Sequence, residues 1–234
     1  ASGDVVYAVD YLGEQTRALL EGREPAITAA GKDVVVIGGG DTGNDCMGTA
    51  VRQGARTVRQ LEYGPCAPEE RAASNAWPEW PNVKKTDYGQ EEAAALQGAD
   101  LREWCADTQK VLLDEAGHVR GLQVRTFDWS AGKPQAVEGS EREIDAQLVL
   151  VACGFAGPER GVFDAFGVPL ATQGRALPAM AGSCNSHRAL RAEGAAGSAA
   201  IYAAGDARNG SSLVVNAMAD ALKCAAEVAG DLGL

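Results

Sequence analysis

Long hydrophobic runs are missing from this 234-residue sequence. None reaches the roughly 18 consecutive apolar residues that a membrane-spanning helix requires, so a soluble protein with no membrane partner is expected. Positive charge is scarce: 21 lysines and arginines face 32 aspartates and glutamates, a formal charge of −11. Such a chain repels a phosphate backbone instead of releasing its counterions, which argues against nucleic acid as a partner. Cysteine is present but unclustered. Cys46, Cys66, Cys105, Cys153, Cys184 and Cys224 form no C-x-x-C pair and have no histidines at zinc-ligand spacing. They read as reduced structural thiols, and no metal site is expected. His118 and His187 stand alone and assemble no catalytic pair. The opening "ASGDVVYAVDYL" lacks a basic n-region, a long apolar stretch and a cleavage site, so the expected location is the cytoplasm.

Against these absences stands "VVVIGGGDTGNDC", residues 34–46, in which four apolar residues run into three glycines and then into a stretch of helical character. Gly38, Gly40 and Gly43 match G-x-G-x-x-G between a strand and a helix. Gly38 allows the tight turn, Gly40 lets backbone approach a pyrophosphate, and Gly43 lets helix and strand pack closely. Free N–H groups and the positive end of the helix dipole meet the phosphate charge. Gly39, Asp41 and Thr42 complete the loop. A carboxylate beside a pyrophosphate is costly, so Asp41 either bonds backbone amides or faces the nicotinamide side. The next strand, "RTVRQLE", ends at Glu62, nineteen residues beyond Gly43, where the dinucleotide fingerprint places an acid for the adenosine ribose. The alternative is a glycine turn that only packs. Glu62 favours NADH, since it accepts bonds from a ribose diol and repels a 2′-phosphate. Arg56 and Arg59, near it in sequence, could relieve that repulsion, which leaves NADH against NADPH open.

The rest of the chain arranges itself around this βαβ unit. Residues 4–22 begin with a short apolar run and continue as an amphipathic helix. From Tyr63 to Gln90, four prolines and two tryptophans interrupt any regular pattern, which predicts a folded excursion. Residues 107–139 alternate strand-like runs with turns at "DEAGH" and "SAGKP", an antiparallel meander. "DAQLVLVACGF" is a second buried strand ending in glycine. Residues 171–200, rich in Ala, Gly and Ser, read as loop. The final segment reads as a short strand ("IYAA"), a Gly205-Asp206 turn and a long helix from about Ser212.

"GGGDTGNDC", "PEERA", "NAWPEWPNVKKTDYGQEEA", "LVLVACGFAGPE" and "AAGDARNGSSLVV" stand in the order found in the small (β) subunit of glutamate synthase, which the chain resembles over nearly its whole length. The resemblance implies an α/β fold of the Rossmann-like, two-dinucleotide flavoprotein type, with a parallel sheet, helices and an antiparallel meander. It implies an NAD(P)H-dependent oxidoreductase carrying FAD, which passes electrons through iron–sulfur clusters to a large subunit where glutamate forms from 2-oxoglutarate and glutamine-derived ammonia. Carried over residue by residue, Gly38, Gly40 and Gly43 belong to the NAD(P)H loop and Gly154 to the strand end returning toward the flavin. Gly205 and Asp206, with Ser212 and Leu213 at the following helix start, belong to the FAD. No proton-transfer residue is carried over, because hydride passes directly between the two rings. The implied division is a crossing segment over 1–28, an NAD(P)H domain over 29–156 with its Trp/Pro-rich insertion at 63–90, and the last part of an FAD domain over 157–234.

The chain departs from the family in three ways. The family's cysteine-rich iron–sulfur region and first glycine loop for FAD have no counterpart here, so the partners expected are that N-terminal half and the large subunit. "MAGSCNSHRALRAEGAAGSAA" replaces a shorter family segment, and Asn216 stands where an aromatic is usual. Two other readings stay open: a catalytically silent nucleotide-binding or assembly module, and a free-standing NAD-dependent dehydrogenase.

Overall fold

The structure, a computed structural model, describes residues 3–79, 81–171, 177–178, 180, 186–192 and 199–234. Its contacts divide into two units, Ala1–Cys153 and Gly154–Leu234. Cys184 and most of the loop expected over 171–200 fall outside the described residues.

In the first unit β1 (Val5–Tyr7) leads directly into α1 (Ala8–Glu21). Then come β2 (Asp33–Ile37), α2 (Asp41–Arg52) and β3 (Thr57–Leu61), the expected βαβ unit with its strands paired in parallel. Next follow α3 (Tyr88–Gln97), β4 (Arg102–Glu103), β5 (Ala106–Leu113), β6 (Val119–Asp128), β7 (Gln135–Ala136) and β8 (Arg142–Asp145), before β9 (Leu148–Val151) closes the unit. The parallel sheet runs β1-β9-β2-β3-β4. The meander is a separate antiparallel sheet in which β6 pairs with β5, β7 and β8. Its turns carry the expected chemistry: Asp114 Oδ1 accepts from the N–H groups of Ala116 and His118, each at 2.9 Å.

The apolar run on β2 is explained by what covers it. Val34 and Val36 join Tyr11, Met47, Leu148 and Leu150 in a core that includes α1 and α2 residues, while Val35 joins Leu122, Val124, Ile144 and Val149 on the side of the antiparallel sheet. A strand between two layers has no polar face. Each fully buried valine contributes about 1.5–3 kcal/mol, and Val34, Val35 and Val36 are all buried.

The excursion after β3 is irregular up to Asp87 among the described residues. It is held by its own polar contacts, with Lys84 N donating to Pro68 O at 2.8 Å and Asn82 N to Asn75 Oδ1 at 2.7 Å. Regular structure resumes earlier than the sequence pattern implies. Asp87 and Gln90 form a capping box, each side chain bonding the other's backbone N–H, and this starts α3 at Tyr88.

The second unit holds α4 (Arg160–Phe166), an antiparallel pair β10 (Leu170–Ala171) and β11 (Leu177–Pro178), the short α5 (Asp206–Asn209) and α6 (Val214–Asp231). Its core is small, built on Phe163, Val168 and Ala189. The strand expected at "IYAA" is corrected to an isolated bridge between Tyr202 and Arg188. Its neighbour is the short antiparallel segment at 187–189, with Ala189 N donating to Ile201 O at 2.8 Å and Ala203 N to His187 O at 2.9 Å, which is too brief a pairing to make a strand. The long helix expected from Ser212 is α6, but it buries none of its residues; Leu213, Val214, Val215, Met218 and Leu222 are exposed.

Candidate functional site

Packing explains two of the three motif glycines. A Cβ on Gly38, whose φ is 114°, would lie 2.3 Å from Ala152 O just past the end of β9; one on Gly43 would lie 2.4 Å from Gly38 O and 2.9 Å from Gln60 Nε2. Both positions exclude any side chain. Gly40 differs: it caps α2 at φ −76° and ψ −177°, a conformation any residue adopts, and an added Cβ meets no atom within 4 Å. The fold has no need of glycine there. The first bond of the helical ladder runs from Asn44 N to Gly40 O, at 3.1 Å. The N–H groups of Asp41, Thr42 and Gly43 therefore precede the ladder at the positive end of α2, beside open space. That combination is a place for an anion. Asp41 is exposed in the first turn of α2. Its carboxylate accepts no hydrogen bond among the described residues, so the expected bonding to backbone amides is not made there.

Glu62 follows the last residue of β3, its N–H donating to Glu103 O at 2.7 Å. Its carboxylate lies directly over Gly39, where an added Cβ would fall 1.7–1.8 Å from its atoms. Gly39 thus makes the room that Glu62 occupies. Burial pushes the Glu62 carboxyl above its ordinary range, with the Arg102 charge opposing the shift. The carboxylate accepts no hydrogen bond among the described residues, so its oxygens are free to take hydroxyl donors. Gly38, Gly39, Glu62, Tyr63, Ala106 and Cys153 lie on the wall of one cavity of about 720 Å³, within the range of small-molecule sites.

Two buried side chains that sequence reading passes over hold this loop. Gln60 Nε2 donates to Gly38 O at 2.8 Å, and Gln60 Oε1 accepts from Gln90 Nε2 at 3.1 Å. Gln90 Oε1 in turn accepts from Asp87 N at 2.9 Å and from the Arg102 guanidinium at 3.2 Å. Arg102 is fixed by Asp100 at 2.7 Å, Lys85 O at 2.8 Å and Thr86 Oγ1 at 2.8 Å. A continuous relay thus ties the glycine turn to the end of the excursion. Asn44, buried on α2, accepts from Gly89 N at 2.9 Å and Gln90 N at 3.2 Å, seating the first turn of α3. The one sequence signal for this set was a glutamine beside the apolar residues of the strand "TVRQL", in which Val58, Gln60 and Leu61 are buried.

Similarity to known proteins agrees with this geometry. The chain is 39% identical to glutamate synthase [NADH] of Schizosaccharomyces pombe over 97% of its length. It is 38% identical, again over 97%, to the glutamate synthase [NADPH] small chain of Bacillus subtilis. The chain is a relative of the glutamate synthase small chain. It spans 45% of the Bacillus small chain and 11% of the Schizosaccharomyces protein, and the two relatives carry different coenzymes in their names. No protein-family model matches it. Among solved structures, FprA of Mycobacterium tuberculosis in complex with NADPH matches 97% of this chain and 58% of its own at a TM-score of 0.58 and 16% identity. The fold is that of the FAD- and NAD(P)-dependent oxidoreductases.

In this glutamate synthase relative, two sequence expectations near Glu62 change. Arg56 precedes β3, at the opposite end of the strand from Glu62, and its guanidinium pairs with Asp33 and bonds Gln147 at 3.0 Å. Arg59 pairs with Glu103. Both arginines are engaged elsewhere. The remaining candidates lie in the second unit. Gly154, at φ 79°, meets no atom with an added Cβ. Gly205, at φ 62°, precedes α5; its N–H donates to Asp220 Oδ2 at 2.8 Å, and an added Cβ would sit 3.2 Å from that of Ala217. Asp206, Ser212 and Leu213 are exposed. His187 is buried between carboxylates, with Nδ1 2.9 Å from Glu227 and Nε2 3.2 Å from Asp220. Asp220 also accepts from Arg208 at 2.9 Å, so this network anchors the backbone at Gly205.

Proposed function

We propose that this chain is the electron-input part of a glutamate synthase-type NAD(P)H-dependent flavin oxidoreductase. NAD(P)H binds in the first unit, and residues 157–234 contribute the last part of an FAD domain. The observation that carries the reading is Gly40: packing demands glycine at Gly38 and Gly43 but leaves the space beside Gly40 open, in front of the N–H groups that precede the ladder of α2. A pyrophosphate in that space accepts those N–H groups, and the Glu62 carboxylate accepts the hydroxyls of the adenosine ribose. Gly38, Gly39, Thr42 and Gly43 shape the turn, with Asp41 in the first turn of α2. Because Glu62 repels a 2′-phosphate and Arg56 and Arg59 are paired elsewhere, NADH is the preferred coenzyme.

Gly154, Gly205, Asp206, Ser212 and Leu213 are assigned to the flavin side. When bound, FAD would accept the hydride and send electrons through iron–sulfur clusters to the large subunit that forms glutamate. This chain's own residues bind and orient the donor. The exposed apolar residues of α6 support a flavin domain completed by further protein, since Val214, Val215, Met218 and Leu222 are left uncovered although Asp220 and Glu227 of the same helix are held by polar contacts. They equally favour the second reading, a silent nucleotide-binding module that docks on another subunit. One set of measurements separates them. The purified chain is expected to be colourless and to bind NADH; joined to the residues that precede it in the family, it is expected to become yellow and to reduce a dye with NAD(P)H. Nucleotide binding without flavin in that longer protein would favour the silent module. Tight flavin in the present chain alone would overturn the domain assignment, and absence of dinucleotide binding would overturn the whole reading.

A further inference from the structure

We propose that Tyr63 is the platform on which the adenine base of the dinucleotide rests, and that it strengthens binding of ligands that carry the base over those that lack it; the proposal builds on the dinucleotide reading above. The position of the base follows from the order of groups at the strand ends, where Gly38 and Gly39 on the cavity wall lead into the start of α2. The start of α2 is at Gly40, the Glu62 carboxylate covers Gly39, and the wall continues from Glu62 to Tyr63, Gly64 and Ala106. A dinucleotide whose pyrophosphate meets α2 and whose ribose meets Glu62 carries its base onward, away from the pyrophosphate, along that wall.

Tyr63 is built to receive it. The ring packs edge to face against Phe127, with centroids 5.1 Å apart at 78°, and against Trp129, 5.5 Å apart at 86°. Its backbone carbonyl accepts the Trp129 indole N–H at 3.2 Å. Two aromatic neighbours therefore hold the residue, yet it remains 51% exposed. A ring already ordered by its neighbours loses little rotamer freedom when a base stacks on it. The same wall carries Thr108, whose hydroxyl is buried with no hydrogen-bond partner among the described residues, a polar group that the protein alone leaves unsatisfied.

The test is a set of equilibrium titrations of the full chain and of Tyr63→Phe, Tyr63→Leu and Tyr63→Ala with NADH, ADP-ribose and reduced nicotinamide mononucleotide. Tyr63→Phe should bind all three as the parent does. Tyr63→Leu, which keeps apolar bulk, and Tyr63→Ala should bind NADH and ADP-ribose about tenfold more weakly, with the adenine-free mononucleotide unchanged. Unchanged NADH affinity in Tyr63→Leu or Tyr63→Ala, or an equal loss for the mononucleotide, overturns the platform while leaving the dinucleotide site in place. A parent chain that binds none of the three ligands overturns the site itself, and the platform with it.

Discussion

Replacing Gly40 with valine separates what the fold needs from what a ligand needs. The new Cβ enters a space with no atom within 4 Å, and φ −76° with ψ −177° suits a β-branched residue. Valine is a poorer N-cap than glycine, at a cost of about 1 kcal/mol, while restricting the unfolded chain returns about 0.4–1 kcal/mol. The net change should stay within about 1 kcal/mol, a shift in melting temperature of no more than about 4 °C. Binding should respond on a different scale. The branched side chain fills the space in front of the N–H groups that the pyrophosphate would accept, and each charge-assisted bond is worth about 1.5–3 kcal/mol. Loss of two lowers NADH affinity by roughly 10² to 10⁴-fold. Gly38→Ala and Gly43→Ala are the controls: their side chains would meet carbonyl oxygens at 2.3 and 2.4 Å, so both should lose stability first. Thermal melts and NADH titrations on all three proteins decide the matter. A Gly40→Val protein that melts like the parent and binds NADH with undiminished affinity would refute the reasoning.

Three further outcomes are expected. NADH should bind more tightly than NADPH, and Glu62→Ala should narrow the gap; stronger NADPH binding in titrations of the parent chain contradicts the role given to Glu62. Glu227 is held down to about 2 by the His187 backbone N–H, the His187 ring and the Ser186 hydroxyl, from an ordinary 4.5. A depressed carboxyl stabilises the fold above its unfolded value and loses that contribution as pH falls through the folded one. Stability should therefore decline between about pH 4.5 and 2, less steeply in Glu227→Gln; identical acid titrations of unfolding for parent and variant would rule the linkage out. Gly89→Ala should cost about 1–3 kcal/mol in denaturant unfolding, because its Cβ would lie 2.2 Å from Asn44 O and 2.7 Å from Gly48 N at the crossing of α2 and α3; an unaltered midpoint would show that the two helices separate freely.

The sequence by itself determined the features that depend on neighbours along the chain. Four apolar residues before three glycines can be read as strand, turn and helix because the apolar pattern and the turn residues are local properties. Glu62 falls at a strand end for the same reason. The meander follows from turn residues such as Asp114, whose carboxylate bonds the backbone two and four positions ahead. Only the tertiary structure decided the rest. Gly38 is required by Ala152, more than a hundred residues away, and Gly43 by Gln60 and the Gly38 carbonyl, whereas the motif treats all three glycines alike. The relay from Gln60 through Gln90 to Arg102 and the seating of α3 on Asn44 join groups with no periodic relation in sequence. Arg56 is six residues from Glu62 in sequence, yet β3 places the two at opposite ends of an extended strand. "IYAA" has the composition of a strand but forms one bridge, because a strand's backbone groups are satisfied only by a neighbour across space, which no local pattern contains.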